Sequence, residues 1–189
     1  MDVSFAKGAW ENAGMTYAYS WRFPDLPRFR QEADCVVNTK RSDKPMDFDY
    51  VGFLAPGIWA PGAKITVRTA FEDGGAPMLL LSGENEIDEN GVLRTLEYYE
   101  IVIWKNGLNV WRHHTEGRET SYYLTLGAAF PLSGGEEHIL TMNTRPDRML
   151  LDVDGRKLNL FIHDMPPSFR LGYTACEGYC RLYGMRIEQ

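Results

Sequence analysis

A carboxylate and an imidazole, Glu100 and His113, are the residues of this 189-residue chain best suited to chemistry. Both lie in the stretch Glu97–Thr115, which reads EYYEIVIWKNGLNVWRHHT. A carboxylate beside an imidazole can transfer protons, so we take Glu100 as the leading acid/base candidate and His113 as its catalytic partner. The alternative interpretation is an ordinary cross-strand surface pair, which contributes only a few tenths of a kcal/mol.

A β-hairpin is predicted to position this pair. The dipeptide Asn106-Gly107 stands between two runs rich in β-branched and aromatic residues. Asn-Gly favours the type I′ turn, because both central residues of that turn need a positive φ. If these two residues form the loop, Glu100 lies directly opposite His113, with Cβ atoms ~5 Å apart.

The two faces of the hairpin differ in character, because successive side chains of a strand point to opposite sides. One face carries a core set, namely Tyr99, Ile101, Ile103 and Val110. The other carries three rings together with the catalytic candidates, namely Tyr98, Glu100, Trp104, Trp111 and His113. We predict that Tyr98, Trp104 and Trp111 bind substrate by stacking on a sugar ring. The alternative is that these rings pack under a loop or against a second sheet.

Glycoside hydrolysis would require a second carboxylate near Glu100. A retaining enzyme places it ~5 Å away, and an inverting enzyme leaves a wider gap. Glu97, Asp152 and Asp164 are the candidates for this second group.

The rest of the chain reads as short strands separated by turns. About thirteen such strands are predicted, including a second hairpin about Asp154-Gly155, and no amphipathic helix of several turns. This pattern indicates an all-β, two-sheet antiparallel sandwich. The length suits a single domain over residues 1–189.

Composition narrows the classes of partner. The net charge of −6 disfavours nucleic acid, and no run of ~18 apolar residues predicts a membrane span. The N-terminal residues lack the apolar core of a secretory signal, so we expect either a cytoplasmic protein or one whose leader has been trimmed. Three cysteines, Cys35, Cys176 and Cys180, are interpreted as buried or free thiols, with a Cys176–Cys180 disulfide as the alternative.

The second half of the chain resembles the concanavalin A-like, laminin-G-like jelly rolls. The resemblance lies in the hairpin residues Leu151, Val153, Asp154, Gly155 and Leu158, then in Leu171-Gly172-Tyr173, and finally in Tyr183–Ile187. It covers about half of the chain by motif. It implies a jelly-roll fold and a carbohydrate ligand lying across the concave face of one sheet.

The resemblance also directs attention to two acidic segments. Glu86-Ile87-Asp88-Glu89 is similar to the catalytic strand of β-glucanases, but Asp88 and Glu89 are adjacent and would point to opposite faces. We therefore interpret this segment as a solvated acidic loop. Calcium is common in the superfamily; Asp47, Asp49 and the acidic 84–89 loop are the only clusters, and no ligand spacing identifies a site. We predict no cofactor and no metal ligands.

Three hypotheses follow. The first is a jelly-roll glycoside hydrolase or lyase that uses Glu100 and His113. The second is a non-catalytic carbohydrate-binding module or lectin-like domain with Tyr98, Trp104 and Trp111 as its platform. The third is a sandwich without a sugar site. The sequence makes no prediction of sugar identity or oligomeric state.

Overall fold

The computed structural model describes residues 1–23, 27–39 and 50–189, and these ranges contain fifteen β-strands and no helix. The strands are β1 (Asp2–Ser4), β2 (Thr16–Ser20), β3 (Arg30–Gln31), β4 (Val36–Val37), β5 (Tyr50–Leu54), β6 (Lys64–Glu72), β7 (Ala76–Ile87), β8 (Leu93–Trp104), β9 (Gly107–Glu116), β10 (Glu119–Ala129), β11 (His138–Arg145), β12 (Arg148–Val153), β13 (Arg156–Phe161), β14 (Arg170–Cys176) and β15 (Tyr179–Glu188).

These strands form two sheets. The back sheet has the order β13-β12-β11-β6-β15-β4-β3, with β1 paired to β15. The front sheet has the order β10-β9-β8-β2-β5-β14-β7, and β7 also pairs with β8. The predicted two-sheet, all-β sandwich is confirmed. One pairing departs from the antiparallel pattern, because β2 runs parallel to β8 over Ala18–Ser20.

The main core lies between the sheets and follows the alternation of the strands. The predicted core face of the central hairpin is confirmed, since Tyr99, Ile101, Ile103 and Val110 all belong to the large buried cluster. The back sheet contributes side chains such as Ile65 to the same cluster. Burial of each large aliphatic side chain stabilises the fold by about 1.5–3 kcal/mol.

The hairpin of β8 and β9 forms as predicted, but its turn differs. Trp104 pairs with Gly107, so Lys105 and Asn106 form the loop. Neither loop residue has a positive φ, so the turn is not type I′. Gly107 has a φ of 139° and lies in the strand, where an added Cβ would meet the Ala128 carbonyl oxygen of β10 at 2.0 Å. Gly107 is therefore needed because β10 approaches too closely for any side chain at this position.

This change displaces the predicted register by two residues. Glu100 pairs with Trp111, and Tyr98 pairs with His113, so the predicted Glu100–His113 pairing is wrong. An even displacement leaves every side chain on its predicted face, because the side-chain period of a strand is two. The second hairpin has the predicted turn, because Val153 pairs with Arg156 around the loop Asp154-Gly155, although its second strand ends at Phe161 and not at His163 as predicted.

The front sheet curls strongly at one end. Strand β2 pairs with β5 through Thr16–Tyr17 and with β8 through Ala18–Ser20, while β5 and β8 are also linked through β14 and β7. These five strands form a closed ring of pairings. A small apolar cluster from four of them packs at this end of the sheet, namely Ala18, Leu54, Leu80 and Tyr98. The curl makes the outer surface of the front sheet concave.

The cysteines agree with the prediction of buried, free thiols. Cys35, Cys176 and Cys180 are all buried and none forms a disulfide. Burial raises the pKa of the Cys35 and Cys180 thiols to about 12. Within the described ranges, no helix has the length and apolar character needed to cross a membrane.

The role of Gly107 gives the first testable prediction. Gly107→Ala introduces both an unfavourable φ and a backbone clash, so we expect the free energy of unfolding in urea to fall by about 2–4 kcal/mol. Gly155→Ala is the matched control, because Gly155 also has a positive φ but an added Cβ there meets no atom within 4 Å. Its loss should be about 1–2 kcal/mol. Equal losses for the two variants would contradict the close-approach explanation.

Candidate functional site

A cleft of about 360 Å³ opens on the concave face of the front sheet. Its floor and walls come from strands β5, β7, β8, β9, β10 and β14, from two turns at one end, and from the segment that follows β2. The lining residues are Arg22, Phe23, Tyr50, Gly74, Ala76, Met78, Glu100, Val102, Trp104, Asn109, Trp111, His113, Tyr122, Cys176 and Glu177.

Glu100 lies deep in this cleft and is only 5% exposed. The Tyr50 hydroxyl donates a 2.6 Å hydrogen bond to its Oε1, and His113 Nε2 lies 2.8 Å from its Oε2. Tyr50 is on β5, which is two pairings from β8 through β2 and three through β14 and β7, so the curl of the sheet brings Tyr50 and Glu100 together. The predicted contact between Glu100 and His113 exists, but as a diagonal contact.

These contacts keep Glu100 ionised. Burial alone would raise the pKa of this carboxyl. The nearby His113, the Tyr50 hydroxyl and the more distant Arg22 guanidinium outweigh burial, so the pKa of Glu100 lies below its ordinary value. In return, burial and then the Glu100 charge hold the pKa of Tyr50 well above its ordinary value. Glu100 is therefore a carboxylate at neutral pH and Tyr50 a neutral donor.

The His113 imidazole is held between two aromatic rings. It stacks on Tyr98 at 4.4 Å between ring centroids and 7° between planes, and on Tyr122 at 5.7 Å and 24°. It is 1% exposed. Among the described residues, neither ring nitrogen has a partner with hydrogen-bond geometry, so the ring N–H does not point straight at Glu100. Stacking, more than hydrogen bonding, fixes this ring.

The three predicted substrate-binding rings separate into two groups. Trp104 and Trp111 are half-buried and line the cleft. Trp111 also meets the edge of the Tyr122 ring at 6.0 Å. Tyr98 shares their face of the hairpin, but it is 0% exposed and lies beneath His113. Tyr98 thus supports the imidazole and is not part of an open aromatic platform, a correction that follows from the curl of β2 over this end of the sheet.

The segment Arg22–Phe23 crosses the cleft above Glu100. The Arg22 guanidinium lies 3.9 Å from the centroid of the Tyr122 ring on the edge strand β10. Phe23 stacks on Tyr50 of β5, with centroids 4.2 Å apart. The segment therefore reaches from one side of the cleft to the other, which explains why Glu100 and His113 are so little exposed.

The carboxylates considered as partners of Glu100 lie elsewhere. Glu97 and Asp164 both bind the Arg112 guanidinium on the opposite face of the hairpin. Asp152 lies in the back sheet, where it accepts a hydrogen bond from the Gly155 amide. The second carboxylate in the cleft is Glu177, at the turn between β14 and β15.

Sequence reasoning missed four of the lining residues, Arg22, Tyr50, Tyr122 and Glu177. Arg22, Tyr50 and Glu177 come from elements distant in sequence from the hairpin, whereas Tyr122 lies on the next strand, β10. None of the four stands in a recognisable motif. Glu177 has a φ of 63°, a conformation that a non-glycine residue rarely adopts. Burial raises the pKa of its carboxyl, although the residue is exposed overall.

The acidic segment 86–89 spans the end of β7, which includes Glu86 and Ile87, and the start of the turn to β8, which includes Asp88 and Glu89. Asp88 accepts hydrogen bonds from the Asn90 and Val92 amides and from Arg94. Glu86 accepts one from Trp21, and Glu89 pairs with Arg118. The predicted solvated acidic loop is thus correct only for Glu89, because Glu86 and Ile87 are in β7 and the Asp88 side chain is buried within the turn.

No group of three or more metal-binding side chains occurs in the described part of the chain. Asp47 and Asp49, considered as calcium ligands, lie outside the described residues.

Comparison with known proteins identifies the fold. No protein-family model matches the sequence, and no curated protein matches it significantly. Among solved structures, a Bacillus subtilis protein of unknown function with a galectin-like fold matches with a TM-score of 0.70 and 10% identity, covering 100% of this chain and 94% of its own. The carbohydrate-binding module CBM66 from Bacillus subtilis matches with a TM-score of 0.65 and 12% identity, and the match covers 86% of this chain and 92% of the module. A glycoside hydrolase family 16 endo-glucanase from Bacteroides ovatus matches with a TM-score of 0.62 and 11% identity, and the match covers 100% of this chain and 99% of the enzyme. The chain has the concanavalin A-like jelly-roll fold, as the resemblance implied.

The environment of Glu100 predicts how stability depends on pH. A carboxyl whose pKa is lowered on folding stabilises the folded state above its ordinary pKa of 4.5, and this contribution is lost as the pH falls below that value. Glu100→Gln should cost about 1–3 kcal/mol at pH 7, and its unfolding free energy should fall less steeply between pH ~5 and ~3. Urea unfolding at several pH values measures both effects.

Glu177→Gln is the control for this experiment. Because the pKa of Glu177 is raised on folding, that group favours the folded state at low pH, which is the opposite sign. Removing the Glu177 carboxyl should therefore not reduce the loss of unfolding free energy between pH ~5 and ~3. If Glu100→Gln loses as much unfolding free energy over this range as the unaltered protein, Glu100 is not the stabilising carboxylate.

Proposed function

We propose that this protein binds carbohydrate in the cleft of the front sheet. The observation that carries the proposal is the joint placement of Trp104 and Trp111, both half-buried, on the wall of one concave cleft that also holds the Glu100 carboxylate. An indole offers a flat apolar surface to the C–H face of a pyranose. A carboxylate accepts hydrogen bonds from sugar hydroxyls and an amide group both accepts and donates them, and Asn109 also lines the cleft.

The ligand class draws support from the fold. Structures with similar folds include a carbohydrate-binding module and an endo-glucanase. The fold also carries many other functions, so the weight of the proposal rests on the aromatic walls of the cleft.

Binding without catalysis fits the geometry of Glu100 and His113 better than acid/base chemistry does. The carboxylate is 5% exposed and the imidazole 1%, and the Arg22–Phe23 segment lies across them. A general acid needs a raised pKa near the working pH, whereas the pKa of Glu100 is lowered. We therefore assign Glu100 to the floor of the binding site.

Hydrolysis is the second candidate, and Glu177 is the observation that favours it. Glu177 and Glu100 line the same cleft, and their surroundings shift the two pKa values in opposite directions. Divergent pKa values are the usual basis for separate acid and base roles. In such a reaction Glu177 would protonate the leaving oxygen, and Glu100 would take a proton from the attacking water.

The aromatic wall gives a direct test of binding. Trp111→Ala should weaken the affinity for a recognised oligosaccharide at least tenfold, which corresponds to about 1.4 kcal/mol. A glycan array selects the oligosaccharide and calorimetry measures the affinity. Phe161→Ala is the matched control, because Phe161 is an exposed ring on the back sheet. Equal affinities for the two variants would exclude stacking on Trp111.

A hydrolysis screen separates the two candidates. If the protein only binds, no oligosaccharide recognised on the array is cleaved, and Glu100→Gln changes affinity alone. If it hydrolyses, Glu100→Gln and Glu177→Gln should each abolish turnover while binding persists, as judged by calorimetry on the same oligosaccharide. Full turnover in both variants would remove these carboxylates from any mechanism.

A further inference from the structure

The cleft holds two carboxylates among its described lining residues, Glu100 and Glu177. The Arg22 guanidinium and the His113 imidazole also line it, and both stabilise the charge of Glu100. The guanidinium lies over the Tyr122 ring.

Cys176 also lines the cleft. Burial is the main reason that the pKa of its thiol lies well above the ordinary value, and the charges of Glu100 and Glu177 raise that pKa further. Glu177 directly follows Cys176, at the β14 end of the cleft.

The two carboxylates differ in what already neutralises them. Glu100 has Tyr50 and His113 as contacts within 3 Å. Glu177 forms no ion pair with any described residue, and the shift in its pKa has burial as its only cause. A carboxylate at the mouth of a partly desolvated cleft, without a cationic neighbour, is suited to a cation supplied by a ligand.

The walls of the cleft favour a cation for an independent reason. Trp104, Trp111 and Tyr122 line it, and Phe23 lies at its far side. An aromatic face attracts an ammonium group by its quadrupole, most strongly for indole. The floor between them combines apolar Met78 and Val102 with Glu100, whose carboxylate is already contacted by Tyr50 and His113, so Glu177 is the carboxylate left for the cation. An ammonium group in this cleft would meet aromatic faces and a carboxylate together.

We propose that the cleft is selective for amino sugars, with the protonated amine read by Glu177 and the pyranose face stacked on Trp111. This inference rests on the proposed carbohydrate-binding function and names the class of sugar. A neutral sugar can use the aromatic wall alone, whereas an amino sugar also gains the charge interaction with Glu177. Acetylation of the amine removes its charge and should remove this advantage.

Calorimetry with three tetrasaccharides of one linkage tests the proposal. The probes are β-1,4-linked glucosamine, its N-acetylated counterpart and the corresponding glucose tetramer. We expect the glucosamine tetramer to bind about tenfold more tightly than either neutral probe at low salt, and this margin should shrink as salt is added. Glu177→Gln should abolish the margin, so that the variant binds the glucosamine tetramer no more tightly than it binds the neutral tetramers. Glu116→Gln, an exposed carboxylate of β9 outside the cleft, is the control of equal charge change and should keep the margin.

The outcomes distinguish the two levels of the proposal. If the neutral tetramers bind and the glucosamine tetramer binds no more tightly, or if Glu177→Gln keeps the margin, the amino-sugar inference falls and carbohydrate binding stands. If no saccharide on the array or among the three probes binds, both fall. If cyclohexylamine competes as well as the glucosamine tetramer, the cleft recognises amines without the sugar, which overturns the inference. Loss of the margin through misfolding is excluded if the urea midpoint of Glu177→Gln is no lower than that of the unaltered protein.

Discussion

The buried charge of Glu100 is the constraint on which the front face depends. An ionised carboxylate removed from water is costly unless hydrogen bonds and opposite charge replace its hydration. Here the replacement comes from two directions, from Tyr50 across the concavity and from His113 on the adjacent strand. His113 is a diagonal neighbour on the paired strand, whereas Tyr50 reaches Glu100 through the curl of the sheet, so the buried charge depends on that curvature.

The same constraint explains the layers of rings around His113. An imidazole that is 1% exposed and lacks an aligned hydrogen bond needs another means of orientation. Tyr98 beneath it and Tyr122 beside it provide that by stacking, and Arg22 in turn lies over Tyr122. The edge strand β10 is thereby tied to the chain that follows β2. The cleft walls are thus built from the supports of the buried pair, and a change in one ring is transmitted to its neighbours.

The sequence was sufficient for the parts of this structure that depend on periodicity. The all-β sandwich, the two hairpins and the core face of β8 and β9 follow from side-chain alternation and from Asp154-Gly155 and Asn106-Gly107, and all are present. The turn at Asn106 was predicted wrongly because a glycine has two uses, positive φ and close approach, and local sequence does not distinguish them. Tyr50 and Glu177 were missed for another reason, since their places in the cleft depend on long-range strand pairing.

The displaced register shows why a site can be predicted well from a partly wrong structure. A displacement of one residue would have moved Glu100 and His113 to opposite faces of the hairpin, and the candidate site would have disappeared. The actual displacement of two preserves the face and exchanges direct neighbours for diagonal ones, so Glu100 lies opposite Trp111 and next to His113 on the diagonal. That exchange places an indole directly across from the carboxylate. The true register therefore brings the ring of Trp111 and the charge of Glu100 closer together than the predicted one did, which strengthens the case for a ligand that uses both an aromatic face and a carboxylate.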